Sequence, residues 1–482
     1  MCLVIPHHFV QSSEIERLLD ELTGRIRAWL DESEGEGPVT LAATPAEMRI
    51  RSRLVPPIEG EGIVGVLEGI DDFLKYSVRT HHRRFMNPLW SGFNASAFAG
   101  EVLSALAQNS MYTFELSPFA TMVEQAIIKR MNEMIGFADG SGVLTTGGSN
   151  GNLLGTLCAR HFSDPMTLQR GFDGSKHVIF VSAESHYSVS MAANVLGLGR
   201  SNVIKVACDN DGRMSPAVLA EEIAMARRAD LIPLCIIATS GTTVRGAFDP
   251  LNEIADVAHA EGLWLHVDAA WGGACLFSKK FANLMDGVNR ADSVCWDAHK
   301  MMGIPLVCSA FLVKESKILR SVCSHTSNAP YLFHDTSQDF DLGRMSLQCG
   351  RRVDALKLWL AWREIGDAGW ARKIEQNISM ADLLEQMITQ RAGMEMMSSR
   401  VWANVCFRLT PNEVPQEELD EFNSRLRELI LRRGNYMISK AIIEDRQVLR
   451  PVITNLDVDE VTLEGLLDEC EQCAKQLLSG QI

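Results

Sequence analysis

Short apolar strands alternate with helices through the middle of this 482-residue chain. Seven runs have the length and the apolar content of buried strands: Gly142–Thr146, Val178–Ser182, Val203–Ala207, Leu234–Thr239, Leu263–Asp268, Ser293–Trp296 and Ala310–Val313. Helical runs such as Pro216–Arg228 and Leu251–Ala260 separate several of them. Strands joined by helical crossovers pair in parallel and need helices over both faces. The pattern therefore predicts an α/β protein with a mostly parallel sheet.

The pattern changes on both sides of this central region. Apolar residues recur at helical spacing between Ile15 and Leu30, and turns rich in Pro and Gly follow. After the alternating region, a long helix leads into strand-like runs and a charged helix. We therefore expect three segments: an N-terminal segment over residues 1–95, a large domain over 96–366 and a small α+β domain over 367–482.

The composition limits the partners and the compartment. Lys and Arg number 46 against 61 Asp and Glu, a net charge of −15, which argues against nucleic acid or an anionic membrane as partner. No apolar run reaches the length of about 18 residues that spans a bilayer, and the first residues lack the features of a secretory signal. The 12 cysteines lie mostly singly in apolar runs, which is typical of reduced cytoplasmic proteins. No group of ligands has metal-site spacing, so we expect no metal.

Two predicted strands end at or just before residues that could take part in ligand binding or catalysis. Leu263–Asp268 ends in a carboxylate, and ligands of parallel sheets collect at the carboxyl ends of strands. Asp268 could bind a metal, hold a ribose, pair with a protonated ring nitrogen or cap a helix. Lys300 follows Ser293–Trp296 next to His299. Burial lowers the pKa of a lysine and favours Schiff-base chemistry, although a surface lysine would also suit that position.

Three further strand ends carry small or polar residues. Gly148 and Ser149 lie between a strand and an apolar helix, where backbone N–H groups can cradle a phosphate. His186 follows another strand and could stack on a planar ring, although an ordinary loop histidine fits equally. Thr243 closes a run of small hydroxyl residues at a fourth strand. Taken together, a phosphate cradle, a stacking histidine, a carboxylate and a lysine are the parts of a pyridoxal 5'-phosphate site.

Longer motifs around these residues resemble the group II pyridoxal-phosphate decarboxylases, and within them the branch of glutamate and cysteine-sulfinate decarboxylases. The resemblance is carried by Phe114–Pro118, Ser185–Ser188, Ala238–Thr243, Gly246–Pro250, Trp264–Gly273, His299–Gly303, Pro330–Phe333 and Gln348–Arg352. It implies the fold of fold-type I pyridoxal-phosphate enzymes, with a seven-stranded sheet. It also implies pyridoxal 5'-phosphate as cofactor and a carboxy-lyase that converts an L-amino acid to its amine and carbon dioxide.

The resemblance implies a role for each matched residue. Lys300 would carry the cofactor as a Schiff base, His186 would stack on its ring, and Asp268 would pair with the ring nitrogen. The remaining contacts to the cofactor would come from Gly148, Ser149, Thr243, Ala270 and His299. Tyr331 matches a mobile-loop tyrosine that donates a proton, which favours an amine over an aldehyde as product. Arg450 matches an arginine that holds the α-carboxylate of the substrate.

Three positions bear on which amino acid is used. Within Phe85–Gly92, which is similar to a substrate-pocket segment of the family, Pro88 replaces a glutamine and Trp90 a small residue of the glutamate enzymes. Ser110 matches a serine of the cysteine-sulfinate enzymes. A bulky ring shortens the pocket, and a methylene of misfit costs about 1–3 kcal/mol, so aspartate or cysteine sulfinate is favoured over glutamate. Pro88 offers no side-chain donor, so a pocket for an apolar or aromatic amino acid stays open as an alternative.

The resemblance also implies a homodimer whose active sites lie at the interface, with the apolar N-terminal helix wrapping the partner. Two other functions stay open at this point: oxidative deamination coupled to decarboxylation, and an inactive homologue that acts as a binding module. The net charge of −15 opposes an acidic substrate through long-range repulsion. A local cation such as Arg450 would have to override it.

Overall fold

The computed structural model describes residues 12–34, 37–173, 175–323, 331–333 and 340–480. The strands in this part of the chain are β1 Phe85–Met86, β2 Ser141–Thr145, β3 His177–Ser182, β4 Val203–Val206, β5 Ile232–Thr239, β6 Trp264–Asp268, β7 Ser293–Asp297, β8 Ser309–Val313, β9 Met394–Met396, β10 Phe407–Leu409, β11 Met437–Ile443 and β12 Arg446–Arg450. The α-helices are α1 Ser12–Glu34, α2 Pro45–Arg51, α3 Gly62–Tyr76, α4 Ala95–Ala107, α5 Pro118–Ile135, α6 Gly148–Ser163, α7 Thr167–Arg170, α8 Ser188–Val195, α9 Pro216–Arg228, α10 Leu251–Glu261, α11 Ile318–Cys323, α12 Asp354–Gln390, α13 Leu419–Arg433 and α14 Glu460–Leu478.

Strands β2 to β8 form one seven-stranded sheet in the order β2-β8-β7-β6-β5-β3-β4. Strands β4, β3, β5, β6 and β7 pair in parallel, whereas β8 runs antiparallel to both β7 and β2. The predicted fold class is confirmed, and the seven predicted strands match the seven observed ones to within about two residues, the usual uncertainty of strand ends. Because β8 alone is reversed, the other six strands place their carboxyl ends at the same edge.

The large sheet is buried on both faces, since successive residues of its strands enter different cores. In β3, Phe180 packs in one core with Ile236 of β5, while Ile179 and Val181 pack in the other. This alternation follows the two-residue period of a strand. The first core also receives Trp370 from the second half of α12. The sheet is therefore a rigid base for side chains at its edge.

A second, smaller sheet of five strands has the order β1-β11-β12-β10-β9 and packs with α13 and α14 around its own core. Strand β1 comes from the predicted N-terminal segment and pairs in parallel with β11, Phe85 opposite Met437. Helix α12 connects the two sheets, and Gly366 interrupts it with a φ of 62°. The interruption coincides with the predicted boundary after residue 366, although the division into three segments stays a prediction.

Among the N-terminal helices, α1 and α3 lie against each other. Arg25 of α1 donates to Asp71 of α3 at 2.7 Å. Large apolar side chains of this region are exposed, among them Ile50, Ile58 and Phe73. Within the described residues, no helix combines the length and the apolar character needed to cross a membrane.

Candidate active site

A cavity of about 200 Å³ lies at the edge where β2, β3, β5, β6 and β7 end. Its lining residues are Gly147, Gly148, Ser149, Asn152, His186, Thr239, Gly241, Thr243, Asp268, Ala270, Trp271, Asp297, His299 and Lys300. Parallel sheets place ligands at this edge, where the loops after the strands diverge. All eight residues that the sequence predicts around a cofactor are in this lining, although their individual roles stay predictions.

The N-terminus of α6 forms one wall of the cavity. Gly147 precedes the helix with a φ of 118°, which only glycine adopts readily. A Cβ on Gly148 would lie 2.8 Å from Asp297 Oδ2, so a side chain there would collide with the carboxylate. The first N–H groups of a helix have no acceptor within the helix and attract anions. Among the described residues, the buried hydroxyl of Thr239 in the same lining also has no partner. These free donors fit a phosphorylated, polar ring such as pyridoxal 5'-phosphate.

Lys300 points its amine at a carboxylate. Its Nζ lies 3.3 Å from Oδ2 of Asp297, whose side chain is 2% exposed. Burial lowers the pKa of Lys300, but the charges of Asp297 and Asp268 outweigh burial, so the pKa lies above its ordinary value. The direction is opposite to the one that burial alone would produce. The amine must lose its proton before it can act as a nucleophile.

Asp268 ends β6 with both carboxylate oxygens already bonded. Oδ2 accepts a hydrogen bond from Asn152 Nδ2 at 2.8 Å, and Oδ1 accepts one from the Ala270 N–H at 3.1 Å. The two bonds hold the carboxylate in one orientation at the cavity wall. A fixed anionic acceptor of this kind suits a protonated ring nitrogen.

Two histidines contribute neutral rings. His186 Nδ1 lies 2.8 Å from Ser188 Oγ, and His299 Nδ1 lies 2.9 Å from the carbonyl oxygen of Cys308. Burial is the largest influence on both rings and lowers the pKa of each below its ordinary value. Both are therefore uncharged near neutral pH. A neutral imidazole at the position of His186 can stack on a planar ring.

Arg450 lies on β12 and contacts the cavity through Thr243. Its Nη1 donates to the carbonyl oxygen of Thr243, and its Nε donates to Ser439 Oγ at 2.8 Å. Asn404 Nδ2 donates to the same Thr243 carbonyl at 3.0 Å. The Arg450 side chain is buried, and burial lowers its pKa. Arg450 is thus one residue removed from the lining, and its bonds to described residues use only two of the five N–H donors of the guanidinium.

The residues predicted for the substrate pocket lie outside the cavity of this single chain. Pro88, Trp90 and Ser110 are half-buried, and none of them is part of the lining. The segment that carries Pro88 and Trp90 is nevertheless fixed against the loop after Arg450. The amide N–H of Val452 donates to the Met86 carbonyl at 3.1 Å, and two hydroxyls, Ser91 Oγ and Thr454 Oγ1, lie 2.5 Å apart. The structure therefore places two predicted substrate regions side by side.

Tyr331, the predicted proton donor, is 78% exposed and is also absent from the lining. The neighbouring ring of Phe333 lies 5.1 Å from that of Tyr112. Pro330, the rest of residues 324–330, and residues 334–339 of the same predicted loop lie outside the described residues. The role of Tyr331 stays a prediction.

Sequence analysis missed two lining residues with strong polar groups, Asn152 and Asp297. Asp297 ends β7 as Asp268 ends β6, so the strand-end argument could have identified it. Asn152 gave a weaker signal. It lies four residues after Gly148, one turn along α6, where its side chain faces the same way as the phosphate cradle.

Comparisons with known proteins agree with one another. The family model described as the conserved domain of pyridoxal-dependent decarboxylases matches residues 45–410. The acidic amino acid decarboxylase GADL1 of Bos taurus is 37% identical over 433 residues, 87% of this chain and 82% of the relative. The cysteine sulfinic acid decarboxylase of Homo sapiens is 37% identical over 446 residues, 90% of each chain. The crystal structure of mouse CSAD has a TM-score of 0.93 at 34% identity and covers 96% of this chain and 99% of its own.

Proposed function

The chain belongs to the family of pyridoxal-dependent decarboxylases, and from this premise we propose that it decarboxylates a short acidic L-amino acid, releasing the amine and carbon dioxide. Pyridoxal 5'-phosphate is its cofactor. The favoured substrates are aspartate and cysteine sulfinate, with glutamate less favoured. The observation that carries the proposal is the single cavity in which Lys300, Asp268 and His186 meet beside a helix N-terminus.

The residues present would hold the cofactor at three points. The N–H groups at the start of α6, with Ser149, would bind the phosphate, and Asp268 would accept from the ring nitrogen. Lys300 would attach through Nζ once its proton has left, and Asp297 Oδ2, at 3.3 Å, lies close to that proton. When bound, the cofactor supplies an electron sink for the pair left on Cα after carbon dioxide departs. The residues of the chain have to orient the substrate, shield the site from water and protonate Cα.

Arg450 would orient the substrate. Its guanidinium would leave the Thr243 carbonyl for the α-carboxylate, while Asn404 Nδ2 keeps that carbonyl bonded. A bidentate arginine fixes the direction of a carboxylate, and fixing the bond that breaks is catalysis by positioning. The buried guanidinium of Arg450 also supplies a local positive charge, which offsets the repulsion of an acidic substrate by the net charge of −15.

Two observations support a short acidic substrate. The two relatives named above are, according to their names, decarboxylases of acidic amino acids. They match this chain over 87% and 90% of its length. Trp90 lies on a segment that is bonded to the loop after Arg450, and in a site completed around Arg450 its bulky ring would shorten the pocket. An apolar or aromatic substrate stays the alternative, because Pro88 offers no donor to a distal acid group.

We further propose a homodimer in which each subunit completes the other's site. Large apolar side chains are exposed along the first quarter of the chain, for example Ile50, Ile58, Phe73 and Leu106, and an exposed apolar surface of this kind needs a partner. Tyr331 would then serve the partner's cavity as the donor of a proton from Oη to Cα. We also assign the protein to the cytoplasm, since its described cysteines are all free and mostly buried.

The complementation of two inactive variants tests the shared site. Lys300→Ala and Tyr331→Phe should each lose amine formation, whereas a mixture refolded together should regain part of it. A hybrid dimer contains one site with both Lys300 and Tyr331 only if the loop crosses the interface. No recovery in the mixture, with dimers present by light scattering, would place Tyr331 in its own subunit's site or in none.

A panel of the twenty common amino acids and cysteine sulfinate tests the reaction and the substrate. Carbon dioxide, amine, ammonia and peroxide are measured together. The proposal expects carbon dioxide and amine in equal amounts, with the largest kcat/KM for aspartate or cysteine sulfinate. Ammonia and peroxide in place of amine would indicate oxidative deamination, preference for an aromatic amino acid would overturn the substrate assignment, and no turnover by a protein that takes up no cofactor would indicate a binding module.

A further inference from the structure

A chain of hydrogen bonds joins Asp268 to the core of the large sheet. Trp264 Nε1 donates to Ser293 Oγ at 2.9 Å, and Ser293 Oγ lies 2.9 Å from His266 Nδ1. His266 Nε2 lies 3.0 Å from Asn152 Oδ1, and Asn152 Nδ2 donates to Asp268 Oδ2 at 2.8 Å. All five side chains are buried, four of them on the strands β6 and β7 and Asn152 on α6.

The direction of every bond in this chain is fixed by chemistry. Asp268 as a carboxylate can only accept, so the Asn152 atom that faces it must be the amide nitrogen and the atom that faces His266 the amide oxygen. The oxygen accepts, so His266 must carry its proton on Nε2. Burial lowers the pKa of His266 to about 4, so the ring is neutral and its bare Nδ1 accepts from the Ser293 hydroxyl. Ser293 in turn accepts from the indole of Trp264.

The chain also has a branch toward the stacking histidine. The second hydrogen of Asn152 Nδ2 is donated to Ser188 Oγ at 2.9 Å. The Ser188 hydroxyl is then free to donate to His186 Nδ1 at 2.8 Å. The backbone N–H of Ser188 also donates to His186 Nδ1, at 3.3 Å, so Nδ1 is an acceptor and carries no proton. The Asn152 amide thus orients Asp268 and, through Ser188, supports this tautomer of His186.

The packing of α6 against the sheet allows Asn152 to reach these partners. A Cβ on Gly155 would lie 2.6 Å from His266 Nδ1, and a Cβ on Gly151 would lie 2.5 Å from Cys295 Sγ. Both contacts are too close for a side chain. The two glycines flank Asn152 on the helix, so they bring its amide within hydrogen-bond distance of the strands.

We propose that Asn152 is the positioning residue of the cofactor site, and that His266 and Ser293 act through it to hold Asp268 as an acceptor and His186 as a neutral ring. The two N–H groups that donate to Asp268 favour its carboxylate form, so a proton shared between Asp268 and the cofactor is favoured on the ring nitrogen. Asn152 therefore supports the protonated form of the ring. This proposal rests on the cofactor site alone and does not depend on which amino acid is the substrate.

Four variants separate this role from simple packing. Asn152→Leu removes both donated bonds, and Asn152→Asp replaces the donor by a second carboxylate. His266→Phe removes the bond that orients the amide and leaves Asn152 in place. Thr156→Val is the matched control, since within the described part of the chain Thr156 Oγ1 bonds only to the Asn152 backbone carbonyl, at 2.9 Å, on the buried side of the same helix.

The first readout is the affinity of the purified protein for pyridoxal 5'-phosphate. It is measured without any substrate, from the changes in absorbance and tryptophan fluorescence on binding. We expect Asn152→Leu to weaken binding about 10- to 100-fold, by analogy with metal sites, where loss of a hydrogen bond that orients a ligand has an effect of this size. Asn152→Asp should weaken it further because two carboxylates then face each other. His266→Phe should show a smaller loss, and Thr156→Val none.

The second readout is the dependence of that affinity on pH between about 5 and 8, because loss of a hydrogen bond to a carboxylate favours its protonated form. The titratable groups that interact with the charge of Asp268 are Lys300, His186, His266 and Cys295, and Asp297 lines the same cavity. Once Asn152 no longer donates, protonation of the carboxylate becomes easier. The affinity of Asn152→Leu should therefore fall off at a higher pH than that of the wild type and of Thr156→Val.

A uniform loss of affinity at every pH, or an equal loss in Thr156→Val, would reduce Asn152 to a packing residue and overturn the proposal. Unchanged affinity in Asn152→Leu would overturn it as well. If Asn152→Leu fails to fold, His266→Phe gives the same comparison with Asn152 intact. A wild-type protein that binds the cofactor but decarboxylates nothing would refute the proposed function and leave this test valid.

Discussion

Arg351 and Glu124 form an ion pair that is almost completely buried beside strand β2. Their side chains are 4% and 1% exposed, and Arg351 Nη1 lies 3.0 and 3.1 Å from the two carboxylate oxygens. The same pair binds both backbone groups of Leu144, which stands just before the phosphate cradle. Glu124 accepts from the Leu144 N–H at 2.9 Å, and Arg351 donates to its carbonyl at 3.0 Å.

Arg351→Met should destabilise the protein severely. Removal of one partner leaves a carboxylate uncompensated in the interior, which costs about 3–5 kcal/mol. The neighbouring ion pair of Arg352 with Glu101 provides a matched control, since Arg352 is 60% exposed. Exposed pairs contribute about 0–1 kcal/mol, so Arg352→Met should be nearly neutral.

Urea unfolding, monitored by tryptophan fluorescence, measures the free energy of unfolding of both variants. A change in stability shifts the midpoint urea concentration and leaves the slope of the transition unchanged. Arg351→Met combined with Glu124→Leu should recover part of the loss, because the buried charge is gone although the Leu144 N–H still lacks an acceptor. The reasoning is refuted if Arg351→Met costs no more than Arg352→Met, or if the double variant is less stable than Arg351→Met alone.

Three further changes test the active site. Trp90→Ser with Ser110→Asn should raise kcat/KM for glutamate relative to aspartate by about 10-fold, the effect of relieving one methylene of misfit, and an unchanged ratio would contradict the pocket-length argument. Tyr331→Phe should divert the product from amine toward aldehyde and ammonia, with dissolved oxygen as the oxidant that is reduced to peroxide, because the proton donor to Cα is lost; an equal amine yield would remove Tyr331 from the reaction. Asp297→Asn should let the cofactor attach at lower pH, since a carboxylate that raises the pKa of Lys300 is gone and only the deprotonated amine reacts. An attachment rate with the same pH dependence as the wild type would show that Asp297 does not control that proton.

Local patterns in the sequence were sufficient to predict the sheet and the positions of its functional edge. The seven strands follow from short apolar runs separated by helical ones, and Asp268 and Lys300 follow from the rule that parallel sheets collect ligands at strand ends. These inferences need only neighbouring residues. They hold because each strand is short and is buried on both faces.

The chemistry inside the site depends on contacts between distant residues. Burial of Lys300 could be anticipated, but the carboxylates of Asp297 and Asp268 that reverse the direction of its pKa could not. Asn152 is a single amide on an apolar helix, and its partners His266 and Asp268 are more than 100 residues away in sequence. No local pattern contains that information.

The substrate pocket needs a different kind of information, because part of it belongs to a second chain in our proposal. Trp90, Ser110 and Tyr331 match motifs of the family, yet none of them lines the cavity of one subunit. The sequence identifies the residues, while only the assembled protein can bring them to the reacting atoms.

The attachment of the cofactor to Lys300 is the most direct test of the whole account. The protein is incubated with pyridoxal 5'-phosphate, reduced with borohydride, digested and examined by mass spectrometry. The account predicts one pyridoxyl adduct, on the peptide that contains Lys300, and none in Lys300→Ala. An adduct on another lysine in the wild type, or no adduct in a protein that retains its fold, would contradict it.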